Sequence, residues 1–279
     1  RPWLLLHMVQ ALAADAGLPT SEQADQLLTR LETPEWTERY GIVLNAASDR
    51  RVMTLPTGAL AVGEARYGRP SRALDYMHRI AATFGAAMPG ALSEYSPDGG
   101  CFLQLWSSYG IVWPIVHYFF GLRPDVAARQ LVCAPQLPAD WPQAELRAIP
   151  LGETQVNVMI ETAPVGVRVV VEIADPTWEV ILGVVVPMGA GIASAVSVAS
   201  SDAPSHGTTE GESNAEHVTL RSARLSEPEG RATWLAPARS GASRYELCVS
   251  WSIGQVGELA AAEAPGERAR SHQTEQADG

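Results

Sequence analysis

The hydrophobic pattern of this chain changes its period once, at a proline-rich stretch between Val132 and Pro142. Before this stretch apolar residues recur at helical spacing, and after it apolar and polar residues alternate as in a strand. Repeated prolines cannot continue a helix, because each lacks a backbone N–H and fixes φ. The chain has 279 residues, enough for two domains. The sequence therefore predicts a helical domain followed by a β domain.

Five helices are predicted in the first half, and they alternate in character. The second and fourth carry charge on one face, whereas the first and last are apolar nearly all round, which is typical of outer and inner helices. Two long loops, Pro34–Pro56 and Gly85–Gly100, lead into inner helices and exceed what packing requires. Helical-hairpin toroids have this arrangement, with the active site at the N-terminal ends of the inner helices. The predicted helices are Pro2–Ala16, Ser21–Leu31 with Thr20 as its N-cap, Thr57–Tyr67, Ser71–Phe84 and Cys101–Phe120.

Six β-rich runs follow the prolines, separated by Pro, Gly and Ser turns, and they predict an antiparallel β-sandwich. The expected organisation is a partial α/α-toroid at residues 1–132, a proline-rich connector at 133–153, the sandwich at 154–257 and a tail of disordered composition at 258–279. The predicted strands are Thr154–Thr162, Gly166–Ala174, Trp178–Val186, His217–Leu225, Thr233–Ala236 and Tyr245–Ile253.

Composition excludes several classes of function. The formal net charge of −11 argues against a nucleic-acid partner and against attachment to an anionic membrane surface. All basic side chains are arginine, which removes lysine-dependent chemistry such as Schiff bases. Three widely spaced cysteines and six scattered histidines fit neither a disulfide framework nor a metal site, so we predict no metal and no cofactor. If the protein is an enzyme, we expect carboxylate side chains to be its catalytic groups.

One carboxylate lies in an unusual setting. The stretch Gly90–Tyr109, which reads GALSEYSPDGGCFLQLWSSY, places Glu94 in a turn rich in proline and glycine, directly before a predicted apolar helix. We expect Glu94 to lie at the rim of a core. A sugar-cleaving enzyme holds its catalytic acid or base in such a position.

This segment resembles that of a known group of enzymes. Ala-Leu-Ser-Glu94-Tyr, a glycine turn and then Trp106-Ser-Ser-Tyr109 resemble the final catalytic segment of six-hairpin (α/α)6 glycosidases, the group of glucoamylase, bacterial glycogen-debranching and α-L-rhamnosidase-like enzymes. Gly121-Leu-Arg-Pro-Asp125, followed by Ala134-Pro-Gln-Leu-Pro138 and Trp141, resembles the exit from such a barrel into its C-terminal β-domain. The resemblance covers roughly residues 1–160 and rests on the order and spacing of these motifs.

The resemblance implies an inverting glycoside hydrolase that acts on an α-linked glucan or a related oligosaccharide. Glu94 matches the general base, which takes a proton from the attacking water. Inversion also needs a general acid, with the two carboxyl groups about 6.5–9.5 Å apart. In the family that acid precedes the third inner helix, and counting backwards makes Pro2–Ala16 the fourth. The acid is therefore expected upstream of Arg1, in a missing N-terminal half of the same polypeptide, and this chain alone should be inactive.

Four further residues are predicted to contact an oligosaccharide substrate. Trp106 lies nearest the Glu94 loop and is the candidate for stacking on a sugar ring, although an aromatic stripe at helical spacing is more often core. Tyr95 and Gln104 are candidate polar contacts. Trp36 belongs to the loop Pro34–Pro56, whose mixture of aromatic, acidic and basic residues is typical of sugar pockets. An acid of that loop is a further candidate for a substitute catalyst.

Two alternative functions remain open. A disaccharide phosphorylase on the same toroid would use phosphate in place of activated water, and the pair Arg50-Arg51 would bind that phosphate. A non-catalytic carbohydrate-binding or scaffold protein is the other alternative, because one catalytic group is missing. The sequence leaves the sugar, the linkage and the cellular location open.

Overall fold

A computed structural model describes residues 7–47, 49–186, 190–201, 215–223 and 233–253. The helical part consists of four helices and a final composite helical segment. The predicted N-cap Thr20 is confirmed, and it forms a capping box in which Gln23 N donates to Thr20 Oγ1 and Thr20 N donates to Gln23 Oε1. The helices are α1 His7–Asp15, α2 Ser21–Leu31, α3 Thr54–Arg66 and α4 Pro70–Ala81, followed by a 3₁₀ turn Leu105–Ser108, α5 Tyr109–Pro114 and a π-helical turn Ile115–Phe119.

Helix α3 is the centre of the helical part and is buried along nearly its whole length. It packs against α1 and α5 at two small-residue contacts. A Cβ added at Gly63 would lie 2.9 Å from Ala14 Cβ, and one added at Gly110 would lie 2.2 Å from Gly58 Cα. Helices α2 and α4 each bury one face and expose the other. The predicted alternation of inner and outer helices is present at α2, α3 and α4, where a buried helix lies between two helices that each expose one face.

The last helical segment departs from its prediction. A single helix, apolar and buried, was expected over Cys101–Phe120, but the helical conformation begins at Leu105 and only one face is buried. That face contacts α3 through Gly110, whereas Leu105 and Trp106 are 82% and 64% exposed. The ring nitrogen of Pro114 cannot donate a hydrogen bond, and the helix widens to a π turn directly after it.

The two predicted long loops contain a small sheet that the sequence did not predict. Three strands come from the first loop and one from the second, in the order β1-β2-β3-β4 with antiparallel pairing. The last strand therefore joins the Glu94 loop to the loop before α3. The strands are β1 Thr37–Glu38, β2 Gly41–Asn45, β3 Asp49–Met53 and β4 Tyr95–Ser96.

Two larger, mainly antiparallel sheets follow. The five-stranded sheet has the order β13-β14-β10-β6-β5, in which β6 and β10 pair in parallel, and the six-stranded sheet has the order β12-β11-β15-β9-β8-β7. The strands are β5 Leu122–Asp125, β6 Gln130–Cys133, β7 Gln143–Leu151, β8 Thr154–Ala163, β9 Gly166–Ile173, β10 Glu179–Val185, β11 Ala190–Ser200, β12 Glu216–His217, β13 Arg221–Ala223, β14 Thr233–Leu235 and β15 Arg244–Ile253.

Three of these strands lie outside the predicted sandwich 154–257. Strand β5 lies within the predicted helical range 1–132, β6 crosses its end, and β7 lies inside the predicted connector 133–153. Strand β7 carries Pro150 and sits at the edge of its sheet, where a missing N–H is tolerated. The predicted strand His217–Leu225 corresponds to β12 and β13, which belong to different sheets. The predicted tail 258–279 lies outside the described residues.

The helical part and the sheets share one hydrophobic core. Phe119 of the last helical segment meets the ring of Trp141 edge to face, with 5.6 Å between ring centroids. Phe119 belongs to the same hydrophobic cluster as buried residues of β6 and β8, and Trp141 packs against that cluster. Ala139 N also donates to Ser71 Oγ at the start of α4, at 3.1 Å. No helix in the described part of the chain is long and apolar enough to cross a membrane.

Candidate active site

Backbone hydrogen bonds fix Glu94 at the N-terminal end of α3. The N–H of Thr54, the first residue of that helix, donates to the Glu94 carbonyl at 2.9 Å, and the Glu94 N–H donates to the Cys101 carbonyl at 2.8 Å. Tyr95 and Gly99 close the turn by exchanging two backbone hydrogen bonds of 2.9 Å. Thr54 Oγ1 donates to the Ser93 carbonyl at 2.7 Å. The segment that carries Glu94 is therefore held by a rigid element.

The Glu94 carboxylate has one anchored and one available oxygen. Its Oε2 accepts a hydrogen bond from the Cys101 N–H at 3.1 Å, while its Oε1 has no hydrogen-bond partner among the described residues. The side chain is partly exposed. Gly100 has φ +68°, and a Cβ there would lie 2.7 Å from Oε2, so the glycine permits both the turn and the close approach. This geometry orients the Glu94 carboxylate and leaves Oε1 available.

Arg51 is the nearby positive charge. Its guanidinium lies over the Tyr95 ring, 4.5 Å from the centroid, and its Nε donates to Asp49 Oδ1 at 2.9 Å. Hydrogen bonds from the Arg51 side chain and backbone lower the pKa of Asp49 to about 2. The pKa of Arg51 is raised, chiefly by Asp49 and in part by Glu94. The site rim therefore combines an aromatic ring, a permanent cation and the Glu94 carboxylate.

The other predicted contact residues divide into two groups. Trp106 is 64% exposed and Tyr95 is partly exposed, so both present surface to solvent. Gln104 is 7% exposed, and its Oε1 accepts a hydrogen bond from Ser107 Oγ at 2.9 Å. Its amide group is therefore engaged inside the protein. Trp36 is 3% exposed and belongs to the core. The predicted sugar contacts of Gln104 and Trp36 are therefore corrected, because neither side chain offers an open face.

The acids of the first loop are held by arginines. Arg30 Nη2 lies 2.7 Å from Glu35 Oε2, and Arg50 Nη2 lies 2.6 Å from Glu38 Oε1. Asp49 is paired with Arg51. A general acid must carry a proton at the working pH, whereas hydrogen bonds from Arg51 lower the pKa of Asp49. The idea that an acid of this loop substitutes for the general acid receives no support.

Asp15 is an acid that sequence reasoning missed. It ends α1, and its Oδ1 accepts a hydrogen bond of 2.6 Å from Tyr109 Oη at the start of α5. Burial raises the pKa of Asp15, with opposing contributions from the Tyr109 hydrogen bond and from Arg66. Burial and Asp15 together raise the pKa of Tyr109 as well. In the sequence Asp15 is marked only by its position at the end of an apolar helix. An acid in that position is equally expected to be an exposed surface residue.

Known proteins match this chain in structure but not in sequence. No protein-family model and no curated protein matches the sequence. Eight solved chains match in structure. An alpha-L-rhamnosidase from Dictyoglumus thermophilum has a TM-score of 0.52 and 12% sequence identity over 88% of this chain and 25% of its own.

The fold is like that of a glycosidase. At 12% identity the similarity concerns the fold alone, and it does not extend to individual residues. This chain spans about a quarter of the rhamnosidase chain that it matches. Helices followed by mainly antiparallel sheets are present, as the sequence predicted.

Proposed function

We propose that this chain is the C-terminal part of an inverting glycoside hydrolase that acts on an α-linked glucan or a related oligosaccharide. In this proposal α1–α5 are part of a six-hairpin (α/α)6 toroid, and the two larger sheets are its C-terminal sandwich. The observation that carries the proposal is the Glu94 carboxylate, with Oε2 anchored by the Cys101 N–H and Oε1 available, at the N-terminal end of an inner helix.

Glu94 would act as the general base. Its Oε1 would accept a proton from a water molecule as that water attacks the anomeric carbon on the face opposite the leaving group. The hydrogen bond from Cys101 N would keep the carboxylate oriented during the proton transfer. Trp106, exposed in the 3₁₀ turn that follows the Glu94 turn in the chain, would provide an apolar wall for the sugar ring.

The general acid would come from outside this chain. An inverting enzyme needs a second carboxyl group that protonates the leaving oxygen. The acids of the first loop are paired with arginines, and Asp15 is engaged by Tyr109. We therefore assign the acid to a preceding part of the same polypeptide, so this chain alone binds oligosaccharide without cleaving it.

A non-catalytic carbohydrate-binding function is the second candidate. The exposed Trp106, on the helical segment that follows the Glu94 turn, suits sugar binding as well as catalysis. The phosphorylase alternative is weaker, because Arg50 donates to Glu38 and to two backbone carbonyls and Arg51 is bound to Asp49. Both guanidinium groups that would hold phosphate are already engaged.

The test is Glu94→Gln in the polypeptide that includes the preceding hairpins. We expect hydrolysis of maltooligosaccharides or of an α-L-rhamnoside to fall by about 10²–10⁴-fold, the usual contribution of a general base. Asp98→Asn is the matched control, because Asp98 lies in the same turn and is exposed. Equal rates for Glu94→Gln and the parent would remove the assignment of the base.

A further inference from the structure

Arg51 reaches the Glu94 turn because β3 pairs with β4. In this pairing Met53 lies directly opposite Tyr95. Side chains two residues apart on a strand share one face of the sheet, so Arg51 is the diagonal neighbour of Tyr95, a separation that a long side chain spans. Its guanidinium lies over the Tyr95 ring, 4.5 Å from the centroid. A strand of the first loop therefore contacts the turn that carries Glu94.

Asp49 fixes the orientation of the Arg51 guanidinium. Arg51 Nε donates to Asp49 Oδ1 at 2.9 Å, and Arg51 Nη2 donates to Asp49 Oδ2 at 2.5 Å. Two parallel hydrogen bonds between a guanidinium and a carboxylate define the geometry of both groups. The backbone N–H of Arg51 also donates to Asp49 Oδ1, at 3.1 Å. The guanidinium is therefore held over Tyr95 although the Arg51 side chain is 60% exposed.

The Tyr95 side chain lies against the two glycines of the turn. A Cβ added at Gly99 would lie 3.1 Å from Tyr95 Cβ, and one added at Gly100 would lie 2.6 Å from Tyr95 Cδ2 and 2.7 Å from Glu94 Oε2. The edge of the ring and the carboxylate therefore face the same side of Gly100. The next residue is Cys101, whose N–H donates to Glu94 Oε2 at 3.1 Å. A ring that keeps its place keeps this N–H within reach of the carboxylate.

We propose that Arg51 is a positioning residue for Glu94 and that it acts through Tyr95. The guanidinium holds the ring against Gly100, and the backbone at Gly100 holds the Cys101 N–H on Glu94 Oε2. A contact between a guanidinium and a partly exposed aromatic ring changes an equilibrium constant by about twofold to fivefold. The importance of this anchor for catalysis rests on the proposed function of Glu94, whereas the contacts can be measured in this chain alone.

Hydrogen exchange of the Cys101 amide, followed by NMR on the whole chain, tests these contacts. The exchange rate of a protected amide follows the equilibrium between its closed and open states. Arg51→Met keeps an unbranched side chain and removes the guanidinium, so the Cys101 amide should exchange about twofold to fivefold faster than in the parent. Amides of β9 and β15 report on the rest of the protein and should keep the rates of the parent.

Arg147 provides the matched control. It donates from Nε and Nη2 to the two carboxylate oxygens of Glu145, two residues before it on β7, as Arg51 does with Asp49. Arg147→Met should leave the exchange of the Cys101 amide unchanged. Equal rates in Arg51→Met and Arg147→Met would overturn the proposal.

A double-variant cycle decides whether the effect passes through the ring. Once Tyr95→Leu has removed the ring, Arg51→Met should no longer change the exchange of the Cys101 amide. The same acceleration with and without the ring would overturn the proposal. The cycle does not depend on catalysis, so it fails or succeeds separately from the assignment of Glu94 as the general base.

Kinetics in the polypeptide that includes the preceding hairpins distinguish positioning from substrate contact. Arg51→Met should lower kcat by up to about fivefold while KM stays as in the parent, because the substrate does not touch Arg51. A raised KM with an unchanged kcat would make Arg51 a substrate contact and would overturn the proposal. Faster exchange of the Cys101 amide in Arg51→Met, combined with unchanged turnover by Glu94→Gln, would instead remove the proposed function and leave the contacts in place.

Discussion

Glu64 makes the stability of this protein depend on pH. It lies on α3 with 0% exposure, and neither carboxylate oxygen has a hydrogen-bond partner among the described residues. Arg69 Nε lies 3.2 Å from Oε2, but this attraction is outweighed by burial, which raises the pKa of Glu64 from 4.5 to about 8. The group is therefore protonated in the folded protein at pH 7 and ionised in the unfolded chain.

The difference in protonation between the folded and unfolded states decides whether stability rises or falls with pH. Between pH 4.5 and pH 8 the folded state binds the extra proton, so its stabilising contribution is complete below pH 4.5 and is lost as the pH rises through about 8. A rise from 4.5 to about 8 corresponds to a loss of about 4–5 kcal/mol in the free energy of unfolding. Glu64→Gln removes the titrating group, so the variant should lack this loss.

Urea unfolding at a series of pH values measures the effect. We expect the free energy of unfolding of the parent, relative to Glu64→Gln, to fall by several kcal/mol between pH 5 and pH 9. Glu153→Gln, which replaces an exposed acid, is the control and should follow the parent within about 0.5 kcal/mol. Parallel pH profiles for the parent and Glu64→Gln would refute the reasoning.

Two further predictions concern the helix contact and the site. Gly110→Ala should destabilise the protein by about 1–3 kcal/mol in thermal unfolding, because its Cβ would lie 2.2 Å from Gly58 Cα. Gly191→Ala, whose added Cβ would have no atom of the described residues within 4 Å, is its control, and equal melting temperatures would contradict the close contact. Trp106→Ala should weaken maltooligosaccharide binding in calorimetry by about tenfold or more through lost apolar burial, whereas Leu105→Ala should not.

The helices were predictable because their signals are local. The N-cap Thr20 and the two-faced pattern of α2 lie within a few residues of each other, and both were predicted correctly. The small sheet was missed because its pairing is not local. Strand β3 pairs with Tyr95–Ser96, more than forty residues away, and a two-residue strand has no pattern of its own.

The site was predictable only in part for the same reason. Glu94 was singled out from the glycine and proline around it, and the turn that holds it follows from Gly99 and Gly100. Burial depends on distant contacts, so the sequence did not separate the exposed Trp106 from the buried Trp36. The pairing of the loop acids with arginines also depends on contacts across different elements.

The stereochemistry of the product tests the central claim most directly. If Glu94 activates water in an inverting reaction, the polypeptide with the preceding hairpins should release the β anomer from an α-linked glucan substrate, and proton NMR reads that anomer before mutarotation. Glu94→Gln should lose this product while the chain still binds the sugar. Initial release of the α anomer, or unchanged release of the β anomer by Glu94→Gln, would contradict the assignment.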